Sequence, residues 1–214
     1  MVKAIFFDFW GTLVENGVFP SPVRQAKQIL RLQKLPFPLF IIQFERAFMI
    51  KHYDDLYKAF ESVCEEFKIT PNKYILDSLV GMWNKNKLLA KPFPETIEIL
   101  EKLQKKYELV LISNTDCFSV QAVLEKYDMA KYFKEMVLSF EVGMLKSKPE
   151  MFNIALEKLK LSASDVVMVG DSIESDMTGA KNAGISAILI DRTARREFTP
   201  KIMNLKQLEE ALNE

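Results

Sequence analysis

The chain has 214 residues, of which 49% are hydrophobic and 27% are charged, a composition typical of a soluble globular protein. The 29 basic and 29 acidic residues cancel, so the sequence lacks the basic character that nucleic-acid binding requires. No apolar run is long enough for a signal peptide or a membrane span, and Cys64 and Cys117 lack the spacing of a zinc site. We therefore expect a cytoplasmic protein with reduced thiols and no nucleic-acid or membrane partner.

The first predicted element is a strand that ends at Asp8. The apolar run before this residue lacks clean alternation, which suits a strand buried on both faces of a parallel sheet. A carboxylate at the carboxyl end of such a strand opens into the crevice where doubly wound folds bind ligands. Followed by the Gly11-Thr12 turn, Asp8 is a candidate covalent nucleophile. The alternative is an aspartate that caps a helix at the end of the strand.

The next segment has helical spacing of its apolar residues and little strand signal. Helices are predicted at about residues 22–32, 40–49, 54–67 and 70–83. Four such helices indicate a small bundle inserted into an α/β chain. We expect the insert to cover residues 15–90, with linkers at residues 14–17 and 91–94, and the core to comprise residues 1–14 and 91–214.

Helices and strands alternate strictly after Pro94. Strands are predicted at residues 109–112, 136–139, 165–169 and 187–190, and helices at residues 95–106, 118–126, 149–159 and 175–182. This alternation predicts a parallel sheet with right-handed crossovers. Asp8, Ser113 and Asp171 each follow a strand, so we expect them at one edge of the sheet and in one site.

Four short motifs then appear in a recognisable order. They are Asp8-Phe9-Trp10-Gly11-Thr12, Ser113-Asn114, Lys146 within residues 143–152, and Asp171 and Asp176 within residues 170–176. In order and spacing the set resembles the motifs of the haloacid dehalogenase-like hydrolase superfamily, over residues 1–13 and 92–191. The helical insert lies where that family carries its C1 cap. The resemblance implies a Rossmann-like parallel sheet with an inserted four-helix cap.

The resemblance also implies roles for the residues of the first three motifs. Asp8 would attack phosphorus to form an aspartyl-phosphate, and Lys146 would supply positive charge to the nucleophile and the transferring group. The Ser113 hydroxyl, Asn114 and the backbone N–H groups of Phe9 and Trp10 would bind the phosphate. Thr12 would orient the turn after Asp8. Lys148 is a rival for the lysine role, but its spacing from Gly143 is less favourable and we expect it to be solvated.

The fourth motif implies a magnesium site. Asp171 is a hard oxygen ligand of the kind that Mg²⁺ prefers. By the resemblance Asp8, the backbone carbonyl of Trp10 and Asp176 would complete the site. The alternative for Asp176 is an acidic residue that complements the dipole of a helix N-terminus.

Trp10 departs from the pattern of the family's phosphatases, in which the same position usually holds a second aspartate that serves as the general acid. Indole is only a hydrogen-bond donor and cannot take that role. An aromatic residue at this position resembles the pattern of the 2-haloacid dehalogenases, whose reaction needs neither a metal ion nor a general acid. The only histidine, His52, is a conceivable replacement acid, but a solvated or partly packed residue of the insert is the favoured interpretation.

Three functions follow from these observations. The favoured one is Mg²⁺-dependent hydrolysis of a small phosphate monoester by a monomer or homodimer. It is favoured over 2-haloacid dehalogenation because Gly170-Asp171 stands where dehalogenases carry Ser-Asn-type residues, and because Phe40 occupies the place of their cap arginine. Arg46 could substitute for that arginine from a neighbouring turn, and Arg24, Arg31 and Arg46 could close over a substrate, although charged faces of bundle helices are normally solvated. The third hypothesis is a non-catalytic binding protein on the same scaffold, which only Trp10 supports.

Overall fold

The computed structural model describes residues 2–213, and its central feature is a sheet of six strands. These are β1 Ala4–Phe7, β4 Glu108–Ser113, β5 Glu135–Leu138, β6 Val166–Gly170, β7 Ser186–Ile190 and β8 Lys201–Ile202. Their order is β5-β4-β1-β6-β7-β8, and each neighbouring pair is parallel. The predicted parallel α/β fold is therefore confirmed.

Helices cover both faces of this sheet. Their bounds are α5 Thr96–Leu103, α6 Ser119–Lys126, α7 Ser139–Val142, α8 Pro149–Leu159, α9 Thr178–Asn182 and α10 Leu208–Ala211. Ile5 and Phe7 of β1 pack in one apolar cluster with α5, α6 and α10, while Ala4 and Phe6 pack in a second with α8 and α9. Because every residue of β1 is buried on one face or the other, the strand reads as a continuous apolar run.

The helical insert follows β2 Val14–Glu15 and precedes β3 Lys91–Pro92. Its helices are α1 Pro22–Ile29, α2 Phe37–Phe48, α3 Leu56–Glu66 and α4 Lys73–Leu89. They enclose a core of their own, in which the rings of Phe48 and Phe60 lie 4.7 Å apart and those of Phe44 and Trp83 lie 5.8 Å apart. The apolar positions at helical spacing in the sequence face this core.

The connections into the insert differ from the plain linkers that the sequence predicted. β2 and β3 pair antiparallel, so the two chain crossings form a short ribbon. This ribbon gives backbone groups of the two crossings hydrogen-bond partners in each other.

Several predicted helix bounds were also wrong. α2 begins at Phe37 and not at residue 40, α4 ends at Leu89 and not at residue 83, and α5 ends at Leu103 and not at residue 106. α4 begins at Lys73, not at residue 70, because the Asn72 side chain accepts a 2.9 Å hydrogen bond from the N–H of Ile75 and caps the helix. α1 ends at Ile29, before Arg31 takes a φ of 56°, which a continuing helix excludes.

The helix predicted from residue 175 begins earlier, with a π-type turn at Ile173–Met177. The Ser172 hydroxyl caps this turn by accepting a 3.2 Å hydrogen bond from Ser175 N–H. Within residues 2–213, no helix is both long and apolar enough to cross a membrane.

Candidate active site

The site lies at the carboxyl ends of the three central strands of the sheet. β1 lies between β4 and β6, and the register places Phe7 beside Leu111 and Val169. Asp8 therefore emerges between the residues that follow the two neighbouring strands. The segment between α7 and α8 reaches over the same edge and contributes Lys146.

A buried lysine joins two of the predicted acidic residues. Lys146 is only 2% exposed, and its Nζ donates a 2.5 Å hydrogen bond to Asp8 Oδ1 and lies 2.5 Å from Asp176 Oδ1. Burial disfavours the charged form, but the carboxylates of Asp176 and Asp8 outweigh burial and raise the pKa of Lys146 above its ordinary value. The rival Lys148 is exposed. The nucleophile candidate is therefore held against a permanent positive charge.

The turn after Asp8 contributes a further contact. Thr12 Oγ1 donates a 3.1 Å hydrogen bond to Asp8 Oδ2, so the two carboxylate oxygens have separate partners. Burial, together with the negative charge of Asp176, raises the pKa of Asp8 to about 6 despite the opposing effect of Lys146. Asp8 is thus mostly ionised at neutral pH and above, as a nucleophile must be.

Three carboxylates come together at this point. Asp8, Asp171 and Asp176 each offer one oxygen, and these oxygens lie within 4.8 Å of one another. Burial, followed by the negative charges of Asp8 and Asp176, raises the pKa of Asp171 to about 8. Asp176 Oδ1 is buried and receives no well-aligned hydrogen bond, although Lys146 lies beside it. Three carboxyl groups that share one ammonium form a donor set that fits a hard divalent cation such as Mg²⁺, whose charge would favour the ionised form of all three.

Two glycines allow the acidic residues to pack so closely. Gly11 has a φ of 81°, and a Cβ on it would lie 2.5 Å from Asp171 Oδ2. A Cβ on Gly170 would lie 2.6 Å from the Cβ of Asp176 and closer still to its carboxylate. Side chains at either position would therefore displace an acid of the cluster.

Ser113 and Asn114 end the second strand of the site. The Ser113 side chain is fully buried, and within residues 2–213 its hydroxyl makes a single, long hydrogen bond of 3.5 Å to the Asn114 carbonyl. Asn114 Oδ1 accepts a 2.9 Å hydrogen bond from Lys146 N–H, and Asn114 Nδ2 donates one of 2.9 Å to Glu45 Oε2. Asn114 therefore joins the lysine segment of the core to α2 of the insert.

Glu45 was not identified from the sequence. It is one of many charged residues on the predicted helices, and no spacing rule separates it from a solvated residue. Burial raises the pKa of Glu45 to about 7, with Lys146 and Asn114 opposing the shift and Asp176 and Asp8 adding to it. An acid of the insert thus faces the charged residues of the core.

Trp10 stands at the position of the family's general acid, and His52 is the conceivable replacement for that acid. Trp10 Nε1 donates a 3.2 Å hydrogen bond to Thr115 Oγ1, and its ring packs edge-on to Phe9 at 5.0 Å. His52 is exposed and packs on Phe140 in a depression away from the acidic cluster. Neither side chain supplies an acid to the site.

A cavity of about 730 Å³ separates the insert from the core. Core residues that line it include Trp10, Asn114 and Asp171, and insert residues include Arg24, Glu45 and Trp83. Phe40 is buried in the insert core, and the exposed Arg46 ion pairs with Glu66, so neither lines the cavity. The space suits a small molecule held between the two parts of the chain.

Two supporting contacts were also missed by sequence reasoning. Arg192, just after β7, donates a 2.8 Å hydrogen bond to the Thr12 carbonyl, pairs with Glu95 at 2.8 Å and stacks on Phe93. The only sequence signal for Arg192 is its position directly after a strand end.

The second contact ties the insert to the core: Trp83 Nε1 donates a 3.0 Å hydrogen bond to Asp116 Oδ2. Burial raises the pKa of Asp116, against the hydrogen bonds from Phe118, Trp83 and Ser119. Three hydrogen-bonded contacts within residues 2–213 thus join the insert to the loop after β4: this one, Asn114–Glu45, and a long bond of 3.9 Å from Cys117 Sγ to the Tyr53 carbonyl.

Known proteins resemble this chain over its whole length. A glyceraldehyde 3-phosphate phosphatase from Methanothermobacter thermautotrophicus is 30% identical, with 99% of this chain and 100% of the relative covered. A 2-haloacid dehalogenase from Pseudomonas syringae pv. Tomato superposes with a TM-score of 0.67 at 24% identity, over 100% of this chain and 99% of the other. A HAD phosphatase from Thermococcus onnurineus superposes with a TM-score of 0.66 at 23% identity, over 99% of this chain and 98% of the other.

The structural likenesses, at under 25% identity, establish the fold and not the reaction. The sequence evidence is more specific, because the family model for haloacid dehalogenase-like hydrolases matches residues 2–184. With the four motifs in one site and a relative at 30% identity, the predicted resemblance is confirmed. This chain belongs to the haloacid dehalogenase-like hydrolase family.

Proposed function

We propose that this chain is a Mg²⁺-dependent phosphatase that hydrolyses small phosphate monoesters through a covalent intermediate on Asp8. The observation that carries the proposal is the buried contact of Asp8 with Lys146, beside two further carboxylates. The Methanothermobacter relative is named a glyceraldehyde 3-phosphate phosphatase, which supports a small sugar phosphate as the substrate.

In the proposed reaction an ionised oxygen of Asp8 attacks phosphorus, and water later cleaves the aspartyl-phosphate. Lys146 stabilises the charge on the nucleophile and on the transferred group, while the Thr12 hydrogen bond orients the carboxylate. Ser113, Asn114 and the backbone N–H groups of Phe9 and Trp10 would bind the phosphate oxygens.

The metal ligands would be Asp8, Asp171, Asp176 and the carbonyl of Trp10. When bound, Mg²⁺ would add positive charge for the phosphoryl group. The proposal is supported by the three carboxyl groups gathered around one lysine, because a hard divalent cation would supply the positive charge that favours their ionised forms.

The proposal is tested by p-nitrophenyl phosphate hydrolysis in Mg²⁺ and in EDTA, with Asp8→Asn beside the wild type. We expect activity only in Mg²⁺ and a complete loss in Asp8→Asn. Asp54→Asn removes an exposed carboxylate of the insert and is the matched control. Equal activity in both buffers, or activity that survives Asp8→Asn, would refute the proposal.

A second candidate is 2-haloacid dehalogenation. Trp10 favours it, and Arg24 of the insert lines the cavity where a substrate carboxylate could bind. The acidic cluster of Asp8, Asp171 and Asp176 opposes it, because a crowd of acidic groups is a poor place for an anionic substrate. The test is halide release from each enantiomer of 2-chloropropionate in metal-free buffer. If neither enantiomer releases halide, this candidate is eliminated.

A further inference from the structure

The proposed phosphatase reaction needs a proton for the leaving alcohol, and Trp10 cannot supply it. Its indole N–H is held by Thr115 Oγ1 and is not an acid at any working pH. The inference that follows rests on the proposed function and concerns the source of this proton.

Four carboxyl groups line the cavity among the described residues: Glu45, Asp116, Asp171 and Glu174. Asp116 accepts hydrogen bonds from two backbone N–H groups and from Trp83, which use both of its oxygens. Asp171 belongs to the cluster that suits a cation, and Glu174 is exposed to solvent. Glu45 is the partly buried carboxyl that remains.

The surrounding hydrogen bonds determine which oxygen of Glu45 can carry a proton. The backbone N–H of Lys146 can only donate, so the Asn114 oxygen must face it and the Asn114 NH₂ group must face Glu45. Glu45 Oε2 is therefore an acceptor. Within residues 2–213 no group donates a hydrogen bond to Oε1, and this oxygen is not fully buried. Oε1 is thus free to carry a proton at the cavity.

We propose that Glu45 of the insert is the general acid of the reaction, in place of the residue that Trp10 replaces. Its Oε1 proton passes to the leaving oxygen as the bond from that oxygen to phosphorus breaks and the Asp8–phosphorus bond forms. The Glu45 carboxylate then takes a proton from water, whose oxygen bonds to phosphorus while the Asp8–phosphorus bond breaks. Inorganic phosphate leaves, and both side chains return to their starting states.

The electrostatic surroundings of Glu45 agree with this role. A general acid works best when its pKa is close to the operating pH, and burial raises the pKa of Glu45 to about 7. The competing interpretation is that Glu45 only joins the insert to the core through Asn114. The two roles differ in one measurable respect, because only an acid makes the rate less sensitive to the leaving group.

The test uses Glu45→Gln and a series of aryl phosphates from p-nitrophenyl phosphate to phenyl phosphate. Phenol release is measured in a single turnover with Mg²⁺. Glutamine keeps an oxygen for Asn114 but has no acidic proton. We expect little loss with p-nitrophenyl phosphate, whose leaving group departs without a proton, and a loss that grows toward about 10²-fold with phenyl phosphate. Glu65→Gln, an exposed site on α3 outside the cavity, should match the wild type throughout.

Comparing substrates within one variant removes the effect of any misfolded fraction, because such a fraction lowers all rates equally. An equal loss for every aryl phosphate, or no loss, would overturn the role of Glu45. A wild type that cleaves none of them with Mg²⁺ would instead refute the proposed function itself. With p-nitrophenyl phosphate we further expect Glu45→Gln to release one equivalent of p-nitrophenol per site before a slow steady state, because water activation is also impaired.

Discussion

Gly170→Ala tests how tightly the acidic cluster is packed. The new Cβ would lie 2.6 Å from Asp176 Cβ, well inside contact distance, so the buried Asp176 must move. Its Oδ2 would lose the 3.0 Å hydrogen bond from Ser172 N–H, and its Oδ1 would lose the ion pair with Lys146. Overpacking costs about 1–3 kcal/mol and a lost hydrogen bond to a charged group about 1.5–3 kcal/mol, so we expect the free energy of unfolding to fall by about 2.5–6 kcal/mol.

The assay is urea unfolding of Gly170→Ala, Asp176→Gly and the double variant. Asp176→Gly is needed, rather than Asp176→Ala, because the Cβ of residue 176 is itself part of the clash. If the clash with Asp176 causes the loss, then Gly170→Ala should lower the free energy of unfolding by at least about 2 kcal/mol less in the Asp176→Gly background than in the wild type. Additive losses would refute the reasoning.

The control is Gly81→Ala on α4, where a Cβ meets nothing within 4 Å. This change should stabilise the protein by about 0.5–1 kcal/mol, because alanine loses less backbone entropy in a helix. A destabilised Gly81→Ala would show that alanine is costly here for reasons other than contact.

Three further outcomes are expected. Arg192→Lys should lower the free energy of unfolding by about 1–3 kcal/mol, because lysine cannot contact both Glu95 and the Thr12 carbonyl. The control is Arg195→Lys at an exposed position, which should change this free energy by less than about 0.5 kcal/mol. Equal urea midpoints for the two variants would contradict this prediction. Between pH 4.5, the ordinary pKa of a glutamate, and about pH 7, Glu45 keeps its proton in the folded chain and loses it in the unfolded chain. Wild-type stability should therefore fall as pH rises through this window. The drop in melting temperature from pH 5 to pH 8 should be smaller in Glu45→Gln than in the wild type. Mg²⁺ at 100 times its Kd should stabilise the protein by about 2.7 kcal/mol at pH 8, and Asp171→Asn should remove most of this gain; a full gain in Asp171→Asn would exclude Asp171 as a ligand.

The core of the site could be predicted because each of its parts follows a strand or a short motif. In a parallel sheet all strands end at one edge, so Asp8, Ser113 and Asp171 could be placed together without coordinates. Lys146 could be distinguished from Lys148 by its spacing within the motif, and the structure buries the first and exposes the second.

The contacts between the insert and the core could not be predicted in the same way. Glu45 and Asn114 are 69 residues apart, and their hydrogen bond depends on how four helices dock on the sheet edge. Helical periodicity identifies the buried face of α2 but does not say which polar residue at its margin meets the core. Arg192 and Gly170 act through a backbone carbonyl and a missing Cβ, and neither leaves a distinctive pattern.

The sequence by itself determined the α/β core, the helical insert and the order of the four motifs, because strand and helix periodicity and the chemistry of strand ends are local properties. Only the tertiary structure decided that Asp176 shares Lys146 with Asp8 and that an acid from the insert faces the cavity. Packing brings these groups together across long stretches of chain, and the charge each one carries depends on the burial that packing creates.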